Sequence, residues 1–407
     1  MSPTNRARGA SDPRIDRPRI RAGIPVFWRS SRAIQVGVDP ARAVIIEGTD
    51  HRIGTMVTQL DGSRTTDDVV AHAQAAGINE VDVLRVFAAL ETNGALTHTG
   101  SDDELHAHMA DDERCRLAPD LLAGSLAAGA PEPLEQLRRR EDARVEVRGT
   151  GRLGTAITMH LLASGVGSVL VREVGDQASL LTTAYDLTTS GPTRDQLGLN
   201  RIESIAHAAT RFLTPGKQED ATRKSKRRRT RADREASARR PDLVVHAYDG
   251  LGDFPVTDPS WSDELMSEGL AHLGTAIAGP VASIGPLVVP YASACARCVE
   301  LRRVDFDPAW SRVIAAMSHP GKRLRITGPW VNSVLASATA AIAAQQVLEY
   351  LDGFATTGIA TWDALLLVRL PGPSLSRIAT TRHPDCGCLW APSNRLQVDE
   401  QPQWASE

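Results

Sequence analysis

The sequence has few aromatic residues, little net charge and no long apolar stretch. No run of 18 or more apolar residues occurs in its 407 residues, so we predict no membrane-spanning helix. The first residues lack the apolar core of a secretory signal, and we therefore expect a cytoplasmic protein. A net charge of −3 gives no general reason to expect nucleic acid as a partner. A hydrophobic share of 42% is enough for the cores of two or three domains.

Cysteines are also scarce, and their number is odd. An odd count in a protein expected in a reducing compartment argues against disulfides and directs attention to metal binding. Cys295 and Cys298 form a C-x-x-C pair, and Cys386 and Cys388 form a C-x-C pair. Such pairs can supply the four thiolates of a structural Zn²⁺ site; the alternatives are unrelated buried thiols or a redox pair. We expect the remaining Cys115 to be inert rather than a nucleophile.

Composition and periodicity divide the chain into blocks. Residues 1–19 are predicted to be a disordered tail, and residues 396–407 a second tail. Strand-like runs and three helices in residues 20–98 favour a small winged-helix-like α+β module, with a generic α+β domain as the alternative. Residues 99–140 are predicted to be an exposed linker with a helical stretch near 117–128.

Residues 141–395 alternate strands and helices, which predicts an α/β domain with a doubly wound parallel sheet. A basic insertion, 214–240, interrupts this pattern, and seven of the nine residues from Arg223 to Arg231 are Lys or Arg. No aromatic residue is interleaved for base stacking. We therefore expect a solvated loop here, and nucleic-acid binding or a localisation signal is the weaker alternative.

A glycine-rich turn, GTGRLG, begins at residue 149 between a predicted strand and a predicted helix. Gly149, Gly151 and Gly154 match G-x-G-x-x-G, in which the glycines allow a tight turn, close approach of phosphate and close helix packing. Glu173 follows the next strand, where an acidic residue would bind ribose hydroxyls. The motif predicts a nucleotide site without specifying the nucleotide. A turn retained only for packing is the alternative.

The stretch that follows the turn is more specific. GTGRLGTAITMHLLASGVGSVLVRE resembles the ThiF/MoeB family, relatives of the enzymes that activate ubiquitin-like modifiers. The resemblance continues in order through LNRIESIAHAATRFLTP, PDLVVHAYDG and GPLVVPYASACARCVELRR, and it covers about residues 145–390. It implies a Rossmann-like ThiF-type domain with a structural zinc knuckle, and a homodimer.

The resemblance also implies a chemistry. The glycine loop would hold ATP rather than a dinucleotide, which disfavours an oxidoreductase. The reaction would be adenylation of a carboxylate on a peptide or small carrier protein. By resemblance, Glu173 would bind the ribose, Arg201 would contact phosphate, and Asp249 would hold Mg²⁺.

Several positions depart from the family pattern. Glu173 stands where the family has Asp, Arg201 where Lys is common, and His246 where many members have a further Asp. The family's Asn and Arg are missing from VGDQASLLTTAYDLTTSG, and Arg194 lies outside that motif. No cysteine is placed to accept the acyl group. These departures predict a site that binds nucleotide and adenylates poorly or not at all.

The first block adds a second resemblance. A strand-and-helix module ahead of a ThiF-like domain is similar to proteins of azole- or azoline-forming ribosomal peptide pathways. In these the module resembles a leader-peptide recognition element, and a precursor strand would pair with IQVGV or AVIIEG beside the third helix. A dimerisation or linker domain is the alternative. Two hypotheses result: an ATP-dependent adenylyltransferase, which we favour, and a degenerate scaffold that binds the precursor peptide for a partner cyclodehydratase.

Overall fold

The computed structural model describes residues 17–40, 42–48, 51–98, 109–125, 132–173, 181–212, 240–249, 259–318, 331–354 and 358–388. The chain divides into two compact units, Met1–Arg139 and Arg140–Glu407. The basic run of the predicted insertion, residues 1–16 and the predicted second tail lie outside the described residues.

Two small sheets and three helices form the body of the first unit. The strands are β1 (Pro18–Ile20), β2 (Val26–Ser30), β3 (Ala33–Val36), β4 (Val44–Glu47) and β5 (Leu96–His98), and the helices are α1 (His51–Thr58), α2 (Thr66–Ala75) and α3 (Glu80–Thr92). β1 pairs antiparallel with β5, and β2, β3 and β4 form an antiparallel sheet in that order. Residues 18–19 are therefore not part of a disordered tail, because β5 satisfies their backbone hydrogen bonds.

Helices α2 and α3 each begin after an N-cap residue, Thr65 and Asn79, whose side chain accepts a backbone hydrogen bond. The Thr65 hydroxyl accepts a hydrogen bond from the Asp68 backbone N–H, and the Asp68 side chain accepts one in return, which forms a capping box. The core-facing positions of α3 are Val83, Val86, Phe87 and Leu90. Val81 and Leu84 share the helical spacing of these residues, but their side chains are 51% and 48% exposed.

The predicted exposed linker, 99–140, contains helices that bury apolar residues. They are α4 (Asp111–Ser125) and α5 (Pro133–Asp142). Leu121 of α4 and Leu137 of α5 are fully buried in a small cluster of their own. The prediction of an exposed linker was wrong because a few leucines at helical spacing suffice to bury one face of each highly charged helix.

A seven-stranded sheet organises the second unit. Its strands are β6 (Arg144–Arg148), β7 (Ser168–Arg172), β8 (Leu243–Asp249), β9 (Ala271–Ala278), β10 (Val281–Val288), β11 (Ala364–Arg369) and β12 (Ser374–Ala379). The order is β12-β11-β10-β9-β8-β6-β7. Strands β7, β6, β8 and β9 are parallel, and the strands from β9 to β12 pair antiparallel. The sheet is therefore mixed, rather than parallel throughout as predicted.

Helices lie on both faces of this sheet. They are α6 (Arg152–Ala163), α7 (Arg201–Ala209), α8 (Ser260–Ser267), α9 (Ala296–Phe306), α10 (Trp310–Ser318) and α11 (Ser333–Asp352). α11 is long and apolar enough to cross a membrane by length and composition. It nevertheless packs with α6 in the main core, where Leu335, Ala340 and Val347 are buried.

Residues 260–278 form a helix followed by a strand, although ELMSEGLAHLGTA (264–276) alone has a helical pattern. α8 begins at Ser260 and includes Trp261. Gly269 has φ +67°, a conformation that favours glycine, and the chain then enters β9. β9 is buried on both faces, so its sequence lacks the alternation that identifies a half-exposed strand.

A buried ion pair, Arg140–Asp352, lies within the second unit. Arg140 donates two hydrogen bonds to Asp352 at 2.8 and 2.6 Å, and a third to the Ser164 carbonyl at 3.2 Å. Both side chains are almost fully buried. Removing one partner of such a pair leaves an uncompensated charge, so this contact fixes the C-terminal ends of α6 and α11.

Candidate nucleotide site and metal centre

The glycine turn lies between β6 and α6, as predicted. Gly149 has φ +125°, and a Cβ atom there would overlap the Ala247 carbonyl oxygen of β8. A Cβ atom at Gly154 would overlap the Gly149 carbonyl oxygen. Packing against β8 and within the turn therefore requires both glycines, independently of any ligand.

Asp249 ends β8 beside the second glycine of the turn. Gly151 is the N-cap of α6 and has no side chain to accept a hydrogen bond, and the Asp249 carboxylate accepts from the Leu153 N–H instead, at 3.1 and 3.2 Å. A Cβ atom at Gly151 would overlap this carboxylate. Asp249 thus occupies the position at the helix N-terminus where an anion is stabilised.

The electrostatic environment of Asp249 is mixed. Burial raises the pKa of Asp249 to about 6, while hydrogen bonds from the start of α6 and the charges of Arg201 and Arg152 oppose this rise. The carboxylate is therefore buried between the helix N-terminus and two guanidinium groups. A carboxylate in this position can bind a cation, or it can be displaced from the helix N-terminus by a bound anion.

Glu173 lies on the other side of the turn. The Thr150 hydroxyl donates a hydrogen bond to the Glu173 carboxylate, and the Gly149 N–H donates to the Arg172 carbonyl at 2.8 Å. The residue predicted to bind ribose is thus next to the glycine turn. Its role in ribose binding stays a prediction.

Arg201, predicted to contact phosphate, is the first residue of α7. Its guanidinium pairs with Asp186 at 3.0 Å, and the Asp186 side chain is only 5% exposed. The Nε atom of Arg201 is buried and has no hydrogen-bond partner among the described residues. Asp186 was not predicted to belong to this site, and it neutralises much of the charge that Arg201 would offer.

A second arginine, Arg152, was missed although it lies inside GTGRLG. Its Nε donates to the Tyr185 carbonyl at 2.7 Å and its Nη1 to the Val331 carbonyl at 2.6 Å. Its guanidinium also lies 3.8 Å from the centre of the Tyr185 ring. Arg152 occupies a variable position of G-x-G-x-x-G, so the motif itself gave no reason to select it; its charge was the available signal.

Two other candidate positions do not contact the turn. His246 is buried in β8, with Nδ1 3.0 Å from the Tyr248 hydroxyl and its ring 4.2 Å from the tilted Trp261 ring. Burial lowers the pKa of His246 well below its usual value, so the side chain is neutral and serves packing. Arg194 is exposed in a short 3₁₀ turn.

The four cysteines of the two pairs meet at the start of α9. Their Sγ atoms all lie within 4.8 Å of one another. Cys295 Sγ is 3.7 Å from Cys298 Sγ and 3.4 Å from Cys386 Sγ, and Cys298 Sγ is 3.5 Å from Cys388 Sγ. A tetrahedral site with Zn–S bonds of about 2.3 Å has edges of about 3.8 Å. The cluster could therefore hold a metal ion.

The surroundings favour the thiolate of Cys298, whereas burial contributes to raising the pKa values of Cys295, Cys386 and Cys388. A hydrogen bond from the Cys295 thiol lowers the pKa of Cys298 to about 4, and the His383 backbone N–H, 3.4 Å from Cys298 Sγ, acts in the same direction. The His383 ring is in turn held by Asp305 at 2.9 Å. Cys115 is exposed on α4 in the first unit and takes no part in the cluster.

The fold resembles that of solved structures of MccB, a ThiF/MoeB-like adenylyltransferase. The structure of Escherichia coli MccB with AMPCPP and MccA superimposes with a TM-score of 0.65 at 15% identity, covering 91% of this chain and 99% of that chain. The microcin C7 biosynthetic enzyme MccB with N-formylated MccA gives 0.64 at 15%, covering 92% and 99%. E. coli MccB with ATP gives 0.63 at 14%, covering 91% and 99%. No protein-family profile and no curated protein sequence matches the chain.

Proposed function

We propose that this protein is a ThiF-like ATP-dependent adenylyltransferase that acts on the carboxylate of a peptide or small protein in ribosomal peptide modification. The observation that carries the proposal is the convergence of Asp249, Glu173 and two arginines on the glycine turn. Solved MccB structures contain ATP or AMPCPP, and MccA. The shared fold supports the same arrangement of substrates here.

The described residues fit ATP and Mg²⁺. The buried Nε of Arg201 has no hydrogen-bond partner among the described residues, and the charges of Arg201 and Arg152 act on the buried Asp249 carboxylate beside the turn. Glu173 would bind the ribose and Asp249 would hold Mg²⁺, which supplies charge stabilisation at the phosphates. The substrate carboxylate forms a bond to the α-phosphorus, the bond from that phosphorus to the bridging oxygen breaks, and pyrophosphate leaves. This chain's task is to position the reactants and stabilise the charge.

The cysteine cluster is proposed to be a structural zinc site. Four thiols fill all positions of a tetrahedral centre, and no position stays open for a substrate. The thiols lie between α9 and the 3₁₀ turn Pro384–Cys386, so a bound ion would join these two segments.

The first unit is proposed to recognise a precursor peptide through a winged-helix-like module. β4 is an edge strand of the three-stranded sheet and lies beside α3. Ile45 of β4 is 44% exposed, and α3 exposes Val81 and Leu84. An extended peptide could add to the β4 edge and place apolar side chains on these residues. A homodimer in the cytoplasm completes this proposal.

The alternative is a degenerate scaffold that holds the precursor peptide for a partner cyclodehydratase. It is favoured by one observation: the described segment 181–186 contains Tyr185 and Asp186 but no arginine, and Asp186 pairs with Arg201. Both hypotheses require peptide binding, so they differ only in the use of ATP.

ATP–pyrophosphate exchange separates the two functions. The full-length protein is incubated with ATP, Mg²⁺, labelled pyrophosphate and candidate peptides, including MccA, that end in a free carboxylate. We expect peptide-dependent exchange that Asp249→Ala abolishes and that Asp120→Ala, a change at an exposed carboxylate of α4, leaves intact. Tight peptide binding with neither exchange nor ATP binding would overturn the enzyme hypothesis and support the scaffold.

A further inference from the structure

The two arginines at the glycine turn differ in what neutralises them. Arg201 forms its ion pair with the buried carboxylate of Asp186. Among the described residues, the Arg152 guanidinium donates to the carbonyl oxygens of Tyr185 and Val331 and lies over the Tyr185 ring. No carboxylate in the described part of the chain lies within ion-pair distance of Arg152. Its guanidinium is therefore fixed in place without a direct ion pair, although its charge acts on the buried Asp249 carboxylate.

Arg152 is also correctly placed to meet an anion. It is the first residue of α6, directly after Gly151, where the helix N-terminus favours negative charge. Its hydrogen bonds use Nε and Nη1, so within the described residues Nη2 has no hydrogen-bond partner. A planar guanidinium with one edge fixed can present its remaining N–H groups to phosphate oxygens.

Tyr185 holds this guanidinium from two directions. Its carbonyl accepts from Nε, its ring lies under the guanidinium, and its hydroxyl accepts from the Val331 N–H at 3.3 Å. Since Val331 also accepts from Arg152, the three residues form a closed set of contacts. The set connects the start of α6 with the segments before α7 and α11.

We propose that Arg152, rather than Arg201, is the principal phosphate-binding cation for a nucleoside triphosphate, and that Tyr185 is its positioning residue. The inference rests on the proposed function, since it assigns a residue to the same nucleotide site. It also places a positively charged side chain at the turn. The arginine that the ThiF/MoeB family has after the strand corresponding to β7 is missing from this sequence.

Calorimetric binding of MgATP and of adenosine tests this assignment without requiring turnover. Loss of a charged hydrogen-bond donor predicts that Arg152→Ala weakens MgATP binding by about 10- to 100-fold and leaves adenosine binding unchanged. Arg152→Lys keeps the charge but not the planar guanidinium, so its affinity for MgATP should lie between those of the wild type and Arg152→Ala. Arg312→Ala, at an exposed arginine of α10, is the matched control, and thermal unfolding verifies that each variant is folded.

A double-mutant cycle tests the role of Tyr185. Tyr185→Leu should weaken MgATP binding by about 2- to 5-fold, and it should add nothing once Arg152 is alanine. If the wild type binds MgATP and Arg152→Ala binds it with the same affinity, the inference is overturned while the proposed function stands. The same holds if Arg201→Ala loses more affinity for MgATP than Arg152→Ala does. A wild-type protein that binds no nucleotide would overturn the proposed function as well.

Discussion

The cysteine cluster and the glycine turn belong to the same unit, but their polar groups are satisfied in different ways. In the cluster, four thiols lie within 4.8 Å and have mainly each other as partners. At the turn, Asp249 caps α6 and Asp186 neutralises Arg201, so several groups already have protein partners. The comparison shows that a site whose ligands come in short sequence pairs can be recognised locally, whereas a site built from long-range pairings cannot.

Replacing a cysteine should produce the largest effect. Structural zinc sites contribute roughly 10 kcal/mol to folding, so Cys298→Ser should remove stoichiometric metal and lower the melting temperature of the second unit strongly. Metal analysis and thermal unfolding followed by circular dichroism measure both. Cys115→Ser, which alters an exposed thiol outside the cluster, should change neither. Equal metal content in wild type and Cys298→Ser would contradict a four-thiolate centre.

The glycine turn should instead respond to pH through Asp249. Its pKa is raised by burial from the ordinary 3.8 to about 6, so the folded state favours the protonated carboxyl. Relative to Asp249→Asn, the contribution of this carboxyl to stability is complete below about pH 4 and is lost as pH rises through 6. Two pKa units at 1.36 kcal/mol each set an upper bound of about 3 kcal/mol.

Urea unfolding of wild type and Asp249→Asn between pH 4 and pH 8 measures this linkage. The variant should gain stability relative to wild type across that range, and groups unaffected by the substitution cancel in the difference. A difference that stays constant with pH would show that Asp249 is not buried beside the helix as described.

Enlarging a glycine of the turn should have the smallest effect on stability. A Cβ atom at Gly151 would overlap the Asp249 carboxylate, so Gly151→Ala should destabilise the fold by about 1–3 kcal/mol and displace this helix cap. At Gly358 the nearest atom to an added Cβ is Phe354 Cδ1 at 3.9 Å, so Gly358→Ala is the matched control. Equal melting temperatures for both variants would contradict the described packing.

Local patterns predicted a large part of the second unit. The two cysteine pairs, with 87 residues between them, meet in one cluster, and the strand–glycine–helix pattern identified β6 and α6. β9 could not be identified from its pattern, because a strand buried on both faces shows no alternation. The linker helices were missed because Leu121 and Leu137 form their small core within a highly charged sequence.

The chemistry of the turn was harder to predict than its backbone. Arg152 and Tyr185 are 33 residues apart, and no periodicity relates them. Asp186 pairs with Arg201 only because a short 3₁₀ turn brings it beside α7. The glycine motif therefore predicted the backbone of the turn between β6 and α6. The positions of the charged side chains around it depend on tertiary contacts that the motif does not encode.

The carboxylate of Asp249 makes the helix end at the turn independent of a ligand. Because it satisfies the start of α6 from within the protein, the fold needs no bound nucleotide to complete that helix end. Substitutions at residues that would contact only a ligand should therefore leave the architecture of the turn intact.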